Sequence, residues 1–337
     1  MEFTAGGQLE VRVTPDDVGK RVSVRRLTGD SAAGARFTDV VGVLTSWDGG
    51  VLSITRRSGE SVRVDEASLV AGKVVPAAPA RRRGPAADFT ELAGVMARAW
   101  QPVESERLGE WTLRAAHGFT RRANSVLPLG DPGRPLDEAL AYVRNWYAER
   151  GLPAYAQVAT GAAGTQEVLG AELGSRGWVL EVSAEVRTGA LAPVADVDAG
   201  ALDSGAVRVA LSRVADEAWM SRYQRRTVPG AHVGQVLESG PSVWFATVPG
   251  VDGAAPLAIG RCVVDGRWAG FAAVEVDPAH RRQGLARSVM AALARRALDE
   301  GASAAWLQVE SDNEGAGALY DGMGFTSHHR YHHYRSA

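Results

Sequence analysis

One short segment constrains the fold of this chain more than any other. Residues 274–278 read as the end of an apolar strand, and residues 281–286 (Arg-Arg-Gln-Gly-Leu-Ala) read as a tight turn that opens a helix. The helix continues with apolar side chains at three- and four-residue spacing, at Val289, Met290, Leu293 and Leu298. Because the first amides of a helix lack intrahelical partners and carry partial positive charge, this turn is a candidate anion site.

The side chains of the turn fit a ligand that carries several phosphates. Gly284 has no Cβ to block a close approach, and Ala286 adds only a methyl group. Arg281 and Arg282 supply positive charge. We therefore expect a diphosphate on the backbone amides from Arg282 to Ala286.

Further landmarks follow this helix. Residues 306–309 (Trp-Leu-Gln-Val) read as a second strand, and it is followed by Asn313, Leu319-Tyr320 and Gly324-Phe325. The order strand, Arg-x-x-Gly-x-Ala, helix, strand, Asn, Leu-Tyr, Gly-Phe resembles the acetyl-coenzyme A core of the GNAT superfamily of N-acetyltransferases. The resemblance extends over about residues 205–335, and it implies a catalytic GNAT domain at residues 205–337.

Length and composition set the outer bounds. A chain of 337 residues is long for one domain, and 45% apolar residues suffice for packed cores. A formal net charge of −2 does not mark the whole chain as a nucleic-acid binder. A single cysteine, Cys262, excludes an internal disulfide framework. With neither a signal-peptide pattern nor a spanning apolar run of roughly 20 residues, we expect a cytoplasmic protein that does not enter membranes.

Residues 1–76 differ in character from the rest. Short strand-like runs alternate with turn signals, and Asp48-Gly49-Gly50 is a strong hairpin cue. Several short strands with little helix predict a small twisted barrel, which resembles Src-homology-like barrels. Together with the later motif, this order resembles a two-part actinobacterial GNAT family that carries such a barrel. The barrel is also a candidate surface for a protein partner.

The segment at residues 88–190 reads as a second copy of the catalytic core, set off by a Pro/Ala/Arg-rich linker at residues 77–87 and a low-complexity linker at residues 191–204. Three pairs of landmarks lie about 150 residues apart, namely Gly151 with Gly301, Val158 with Val309, and Gly177 with Gly324. A near-constant offset predicts a duplicated unit, and chance similarity of two αβ segments is the alternative. The predicted fold class is thus α+β, a small β-barrel followed by tandem GNAT-like mixed-sheet αβ domains.

The first copy lacks the chemistry of the second. Its counterpart of the phosphate turn, residues 130–135, reads Gly-Asp-Pro-Gly-Arg-Pro, where prolines remove amide donors and Asp131 repels phosphate. No tyrosine stands at the position corresponding to Tyr320. We interpret this half as a non-catalytic packing partner. The polar run at residues 118–126 has two open interpretations, a cleft lining and a capped turn.

The resemblance implies how acetyl-coenzyme A, the acetyl donor, would bind. In the superfamily two strands splay apart beside the pantetheine arm, and here these would be the strands that end at Val276 and Val309. The arm would pair with the freed backbone, and an amide near Val276 would stabilise the oxyanion. The predicted coenzyme-binding set is Val274, Glu275, Val276, Arg281, Arg282, Gln283, Gly284, Leu285, Ala286, Arg287 and Asn313.

Tyr320 is the predicted general acid, because its position seven residues after Asn313 matches the superfamily pattern. A phenol with a pKa of about 10 protonates a thiolate whose acid has a pKa of about 8.5 only if its own pKa falls or the step is concerted. The competing interpretation is a core aromatic residue beside Leu319. Asn313 is expected to cap the next helix, with a coenzyme contact as its second role.

The general base stays unassigned. Relatives that use a strand carboxylate place it near the start of the motif strand, where this chain has Ala269-Gly270-Phe271. The remaining candidate carboxylates are Glu275, Glu310, Asp312, Asp216 and Glu217. A water relay, or an amine that arrives neutral, would also serve.

Two further clusters of side chains are candidate binding sites. For the acceptor amine the predicted set is Asp216, Glu217, Trp219 and Tyr223, because carboxylates beside aromatic rings suit a cation. An amphipathic helix that simply buries Trp219 is the alternative. The histidine-rich segment at residues 328–333 alternates with tyrosines in a strand pattern, which sends adjacent side chains to opposite faces. It predicts a final strand, and we predict no metal.

The function expected from these features is acetyl-coenzyme A-dependent N-acetylation of a primary amine, on a protein lysine or a small molecule, by direct attack on the thioester. The alternative is a binding or regulatory protein that senses acetyl-coenzyme A with little turnover while the barrel engages a macromolecule. The missing strand carboxylate favours the alternative, and Tyr320 with Asn313 favours the enzyme.

Overall fold

A computed structural model describes residues 10–28, 36–76, 85–196, 208–224, 230–250 and 254–337. The chain forms two compact units. The first comprises residues 1–79 and 158–179 with residue 337, and the second comprises residues 80–157 and 180–336.

The first unit contains an antiparallel five-stranded sheet. Its strands are β1 (Arg21–Thr28), β2 (Arg36–Asp48), β3 (Val51–Thr55), β4 (Ser61–Asp65) and β5 (Leu69–Val74), in the order β4-β3-β2-β1-β5. Gly49 and Gly50 join β2 to β3 with φ of 57° and 77°, which confirms the predicted hairpin, because its tight turn requires positive φ at both positions. Alternate side chains meet in a core that includes Val24, Leu44 and Ile54. This is the small strand-rich domain that the sequence predicts.

The elements that follow are listed in chain order. Up to residue 195 they are α1 (Phe89–Ala99), β6 (Glu104–Leu108), β7 (Trp111–Ala115), α2 (Leu136–Ala148), β8 (Tyr155–Thr160), α3 (Glu167–Ser175), β9 (Val179–Ala190) and α4 (Leu191–Ala195). Beyond it they are β10 (Ala210–Ser212), α5 (Glu217–Arg222), α6 (Ala231–Leu237), β11 (Ser242–Val248), β12 (Ala258–Asp265), β13 (Trp268–Val276), α7 (Leu285–Asp299), β14 (Ala304–Glu310), α8 (Glu314–Asp321) and β15 (Thr326–Arg335).

The order helix, strand, helix, strand occurs twice, as α2-β8-α3-β9 and as α7-β14-α8-β15. Both copies contribute to one sheet with the order β10-β11-β12-β13-β14-β9-β15-β8. The last strand of each copy lies beside the central strand of the other copy, so that β9 neighbours β14 and β15 neighbours β8. The predicted tandem arrangement is therefore confirmed. The exchange of final strands was not predicted.

The glycine landmarks of the duplication have a shared conformation. Gly151 and Gly301 follow α2 and α7 with φ of 63° and 90°, and Gly177 and Gly324 precede the final strands with φ of 81° and 85°. Left-handed backbone after a helix favours glycine, because it has no Cβ to clash. The repeated glycines thus mark the same two helix ends in each copy.

Apolar clusters cover both faces of the sheet in the second unit. One face packs α7 against strand residues such as Phe271 and Leu307. The other packs α1, α5 and α6 around Trp306. Within this second cluster the buried Arg261 donates to Ala99 O and Ser239 O at 2.9 and 2.7 Å, and also to Leu237 O. It thereby satisfies carbonyls at the ends of α1 and α6.

The predicted linkers are only partly covered. Residues 77–84 and 197–204 lie outside the described residues. Residues 191–195, the start of the second predicted linker, form the short helix α4, and its Leu191 and Val194 are buried. Among the helices described, none has the length and apolar character needed to cross a bilayer.

Candidate functional site

The turn between β13 and α7 is exposed and its amides are unbonded. Gly284 precedes α7 with φ of 81°, and no side chain caps this helix start. The first amide to bond a carbonyl is that of Ser288, to Gly284 O at 3.0 Å, and no described residue accepts from the amides of residues 281–287. A Cβ built on Gly284 would meet nothing within 4 Å. In the described residues the amides of the predicted anion turn therefore have no acceptor, and the space beside Gly284 is open.

The arginines of the turn differ in their surroundings. Arg281 and Arg282 are exposed, and Arg282 has a φ of 65°. Arg287 lies one turn into α7, and its Nη2 is 3.0 Å from where a Cβ of Gly322 would stand. The positive charge thus extends from the turn to the end of α8.

The corresponding turn of the first copy has its donors occupied. The carboxylate of Asp131 accepts from the amide of Gly133 at 2.7 Å, and the carboxylate of Glu110 accepts from the amide of Asp131 at 2.5 Å. Two carboxylates at this turn repel phosphate and fill the donor positions that phosphate would use. This geometry supports the interpretation of the first half as non-catalytic.

The strands β13 and β14 separate beside the turn. Their parallel pairing runs from Trp268 with Ala304 to Phe271 with Leu307 and ends there, although β13 continues to Val276. Ala273 has a φ of 51°, and the register between β12 and β13 shifts at the same point. Such a bulge bends its strand away from a neighbour. The predicted splay is therefore present, because β13 runs on to Val276 beyond the last residue that pairs with β14.

Tyr320 lies on α8, on the side of the sheet that α7 covers. Its side chain is 9% exposed and packs edge-on against Phe325 with ring centroids 6.0 Å apart. Burial raises the pKa of Tyr320 to about 12. Its hydroxyl has no hydrogen-bond partner among the described residues. The hydroxyl oxygen itself is not fully buried, so it can contact solvent. The phenol therefore stays protonated, and proton donation requires a concerted step.

Asn313 caps α8, as predicted. Its Oδ1 accepts from the amide of Ala316 at 3.1 Å. The side chain is otherwise exposed at the end of β14, beside the splay. This position leaves its amide nitrogen available to a ligand.

The start of β13 has no room for a carboxylate. Gly270 pairs with Trp306 across β13 and β14, and a Cβ on Gly270 would lie 2.3 Å from Cζ2 of that indole. Of the other candidate bases, Glu275 accepts from the amide of Gln224 at 2.9 Å. Glu310 and Asp312 are exposed beyond the end of the splay. A carboxylate at residue 270 would therefore overlap the indole of Trp306.

The four residues predicted for the acceptor do not gather into one open site. Asp216 caps α5 by accepting from the amide of Trp219 at 2.8 Å, and Glu217 is exposed. Trp219 is 1% exposed and donates from Nε1 to Gly260 O at 3.2 Å. Tyr223 is buried against the ring of Trp219, with centroids 5.2 Å apart. The arrangement matches the alternative of an amphipathic helix that buries Trp219.

Sequence reasoning missed two side chains beside the splay. Gln308 directly follows Leu307, the last residue of β14 that pairs with β13, and its Oε1 accepts from Nη1 of Arg122. The guanidinium of Arg122 stacks on the ring of Trp100 at 4.5 Å. A signal was available, because Arg122 belongs to the polar run at residues 118–126 and Gln308 interrupts an apolar strand.

The histidine-rich segment forms the predicted final strand, β15. β15 is an inner strand between β9 and β8, and His332 on one face and His329 and His333 on the other are all buried. Burial lowers the pKa of His332 to about 4 and that of His333 to about 3, so both rings are neutral at pH 7. In the described ranges, no group of three or more His, Cys, Asp or Glu side chains is placed to hold a metal ion.

Two family models match the chain, one over its N-terminal strands and one over the rest. A family model described as "Probable histone acetyltransferase Rv0428c C-terminal" matches residues 86–334, and one described as "Rv0428c N-terminal Sm-like domain" matches residues 16–73. A relative from Mycobacterium tuberculosis, named "Probable histone acetyltransferase Rv0428c", is 28% identical over 320 residues, which span 93% of each protein.

Solved structures share the fold. A GCN5-related N-acetyltransferase from Kribbella flavida is similar with a TM-score of 0.54 and 19% identity, over 74% of this chain and 96% of that one. A tandem GNAT protein from the clavulanic acid biosynthesis pathway is similar with a TM-score of 0.52 and 14% identity, over 75% of this chain and 90% of that one. At these identities the likeness concerns architecture alone.

Proposed function

The chain belongs to the GNAT-type acetyltransferase family described as probable histone acetyltransferase Rv0428c, and on this basis we propose that it transfers the acetyl group of acetyl-coenzyme A to a primary amine. The observation that carries the proposal is the turn at residues 281–287, whose amides are free, beside the point where β13 and β14 separate.

The proposed coenzyme site follows from these two features. The diphosphate would accept from the amides of residues 282–286, with charge from Arg281, Arg282 and Arg287 and with Gln283 and Leu285 shaping the turn. The pantetheine arm would pair with residues 274–276 of β13, beyond the end of the pairing with β14, in the manner of an added strand. Asn313, at the end of β14, would contact the arm from the other side.

The proposed chemistry is a direct transfer. The nitrogen of a neutral amine attacks the thioester carbon, and the amide near Val276 stabilises the negative oxygen. As the C–S bond breaks, the leaving sulfur takes a proton from Tyr320. The new amide nitrogen releases its own proton to water, and the Tyr320 phenolate regains a proton from water.

Timing matters for the proton from Tyr320. With the pKa of Tyr320 at about 12, a separate proton transfer to a thiolate of pKa about 8.5 would be uphill by about 5 kcal/mol. We therefore assign the proton transfer to the same step as C–S cleavage.

For the acceptor amine we propose fewer direct contacts than the four residues that the sequence predicts. Of that set, only the carboxylates of Asp216 and Glu217 are exposed, so we propose them as outer contacts for the amine and Trp219 and Tyr223 as its supporting core. The five-stranded N-terminal domain is proposed as the surface for a protein partner. One cysteine in the sequence supports a reducing, cytoplasmic location.

The test is turnover of acetyl-coenzyme A against a panel of small amines, lysine peptides and proteins, with product detected by mass spectrometry. Calorimetric titration with coenzyme A runs in parallel. Amine-dependent release of coenzyme A supports the enzyme. Binding without amine-dependent turnover indicates the sensing alternative, which the exclusion of a carboxylate at Gly270 favours. Absence of binding would reject both.

A further inference from the structure

Arg122 is held at the point where β13 and β14 separate. It donates to Gln308, the first residue of β14 beyond the pairing with β13, and its guanidinium lies over the ring of Trp100 at 4.5 Å. Trp306 and Met96 belong to the apolar cluster on the face opposite α7, and Nε2 of Gln308 lies 3.3 Å from Sδ of Met96. Arg122 therefore approaches the splay from the side opposite the α7 cluster.

The loop that carries Arg122 is rigidly built. Thr120 has a φ of 58°, which is strained for a β-branched residue. The side chain of Asn124 fixes the loop by accepting from the amides of Ala116 and Gly118 at 2.8 and 2.9 Å and donating to Phe119 O and Thr120 O at 2.8 Å. Strained backbone that persists under such restraint is common where a side chain must be placed for a ligand.

The charge of Arg122 is not neutralised within the described residues. No carboxylate among the described residues pairs with it, whereas its neighbour Arg121 lies 3.5 Å from Glu181. The buried Arg114 is also surrounded by neutral acceptors, which are Ser125 and Gln157 at 2.8 to 2.9 Å. Burial, and next the charge of Arg122, lower the pKa of Arg261 to about 9. The region around Arg122 is thus cationic and lacks a counter-ion from the described chain.

We propose that Arg122 is a specificity residue that binds a carboxylate of the acceptor, so that the preferred acceptors are amines that carry a carboxylate. This inference rests on the proposed function and narrows it. A guanidinium that lies over an aromatic ring and donates to Gln308 from one nitrogen keeps further donors for a carboxylate, and the pair would orient the amine toward the thioester carbon. The same positive charge disfavours polycationic peptides at this position.

The experiment compares two acceptors that differ by one carboxylate, 4-aminobutyrate and n-butylamine. With the full chain and acetyl-coenzyme A, kcat/KM should be roughly 10- to 100-fold higher for 4-aminobutyrate, the range of a charge-assisted hydrogen bond. Arg122→Gln should remove this preference by lowering kcat/KM for 4-aminobutyrate while changing that for n-butylamine by less than about twofold. Arg122→Lys should retain part of it.

Arg121→Gln is the matched control, since it removes the adjacent arginine and should keep the preference. Equal losses for both acceptors in Arg122→Gln and Arg122→Lys would indicate a structural role and overturn the inference. A wild-type preference for n-butylamine, or for a lysine-rich peptide, would also overturn it and leave acetyl transfer intact. Absence of turnover with every acceptor would reject the proposed function as well. Calorimetry with coenzyme A checks that each variant is folded.

Discussion

The indole of Trp306 lies over Gly270 on the adjacent parallel strand, so close that a Cβ at residue 270 would be 2.3 Å from its ring. The Nε1 of Trp306 is buried and has no hydrogen-bond partner among the described residues. The contact therefore persists through packing alone. A carboxylate-bearing side chain at residue 270 would overlap this ring, so the position cannot hold one without a shift of Trp306.

Replacing Gly270 by alanine should destabilise the protein by about 1–3 kcal/mol, because the added methyl group overpacks a rigid ring. The free energy of unfolding in urea is the measurement. Adding Trp306→Leu should recover part of the loss, since a smaller side chain makes room. A Gly270→Ala variant as stable as the wild type would contradict the contact.

Gly284→Glu should weaken binding of coenzyme A by roughly 10- to 100-fold, because a carboxylate at the turn repels the phosphates that the amides would bind. Gly301→Glu is the matched control. Gly301 also has positive φ and open space around its Cβ position, but it follows the other end of α7. Both variants carry the same backbone strain, so only the first should change the dissociation constant measured by calorimetry. Similar affinities for the two would argue against a diphosphate at residues 282–286.

Tyr320→Phe should lower kcat by roughly 100-fold and leave the affinity for coenzyme A nearly unchanged, as expected for loss of a general acid. Because the pKa of Tyr320 is raised to about 12 by burial, ionisation of this phenol should not reduce kcat up to pH 10. Tyr334→Phe removes another buried hydroxyl and serves as the control. An unchanged kcat in Tyr320→Phe would reject the acid role.

Cys262 should resist thiol reagents until the second unit unfolds. The side chain is 0% exposed, and burial raises the pKa of its thiol from 9.0 to about 12. Labelling of the single cysteine by a chromogenic disulfide at pH 8 should therefore follow the unfolding rate. Rapid labelling of the native protein would contradict this.

The raised pKa of the Cys262 thiol also makes the free energy of unfolding depend on pH. Since the folded-state pKa lies above the unfolded one, the stability contributed by the protonated thiol is complete below pH 9 and is lost as pH rises toward 12. Unfolding free energies measured from pH 8 to pH 11 should fall less steeply for Cys262→Ala than for the wild type. Equal slopes would mean that the thiol does not contribute.

Features of the site that depend on local sequence were predictable. The turn before α7, the capping by Asn313 and the glycines after each helix each involve residues a few positions apart, where backbone geometry restricts the choice of side chain. The splay of β13 from β14 came from the resemblance, and the register confirms it.

Features that depend on distant residues were not predictable in this way. The contact of Arg122 with Gln308 joins positions 186 residues apart, and the Trp306 ring over Gly270 depends on the register of two strands. The burial of Trp219, a residue of α5, likewise depends on its contact with the distant Gly260. Hydrophobic periodicity assigns a face to each element but does not say which element will cover it.

The exchange of β9 and β15 has a consequence for biosynthesis. The first copy receives its neighbouring strand from residues 326–335, which are translated after every other strand of the sheet. Until these residues leave the ribosome, β8 presents an open edge that can pair with other nascent chains. Synthesis of the two halves as separate polypeptides would therefore yield two incomplete sheets, one without β15 beside β8 and the other without β9 beside β14.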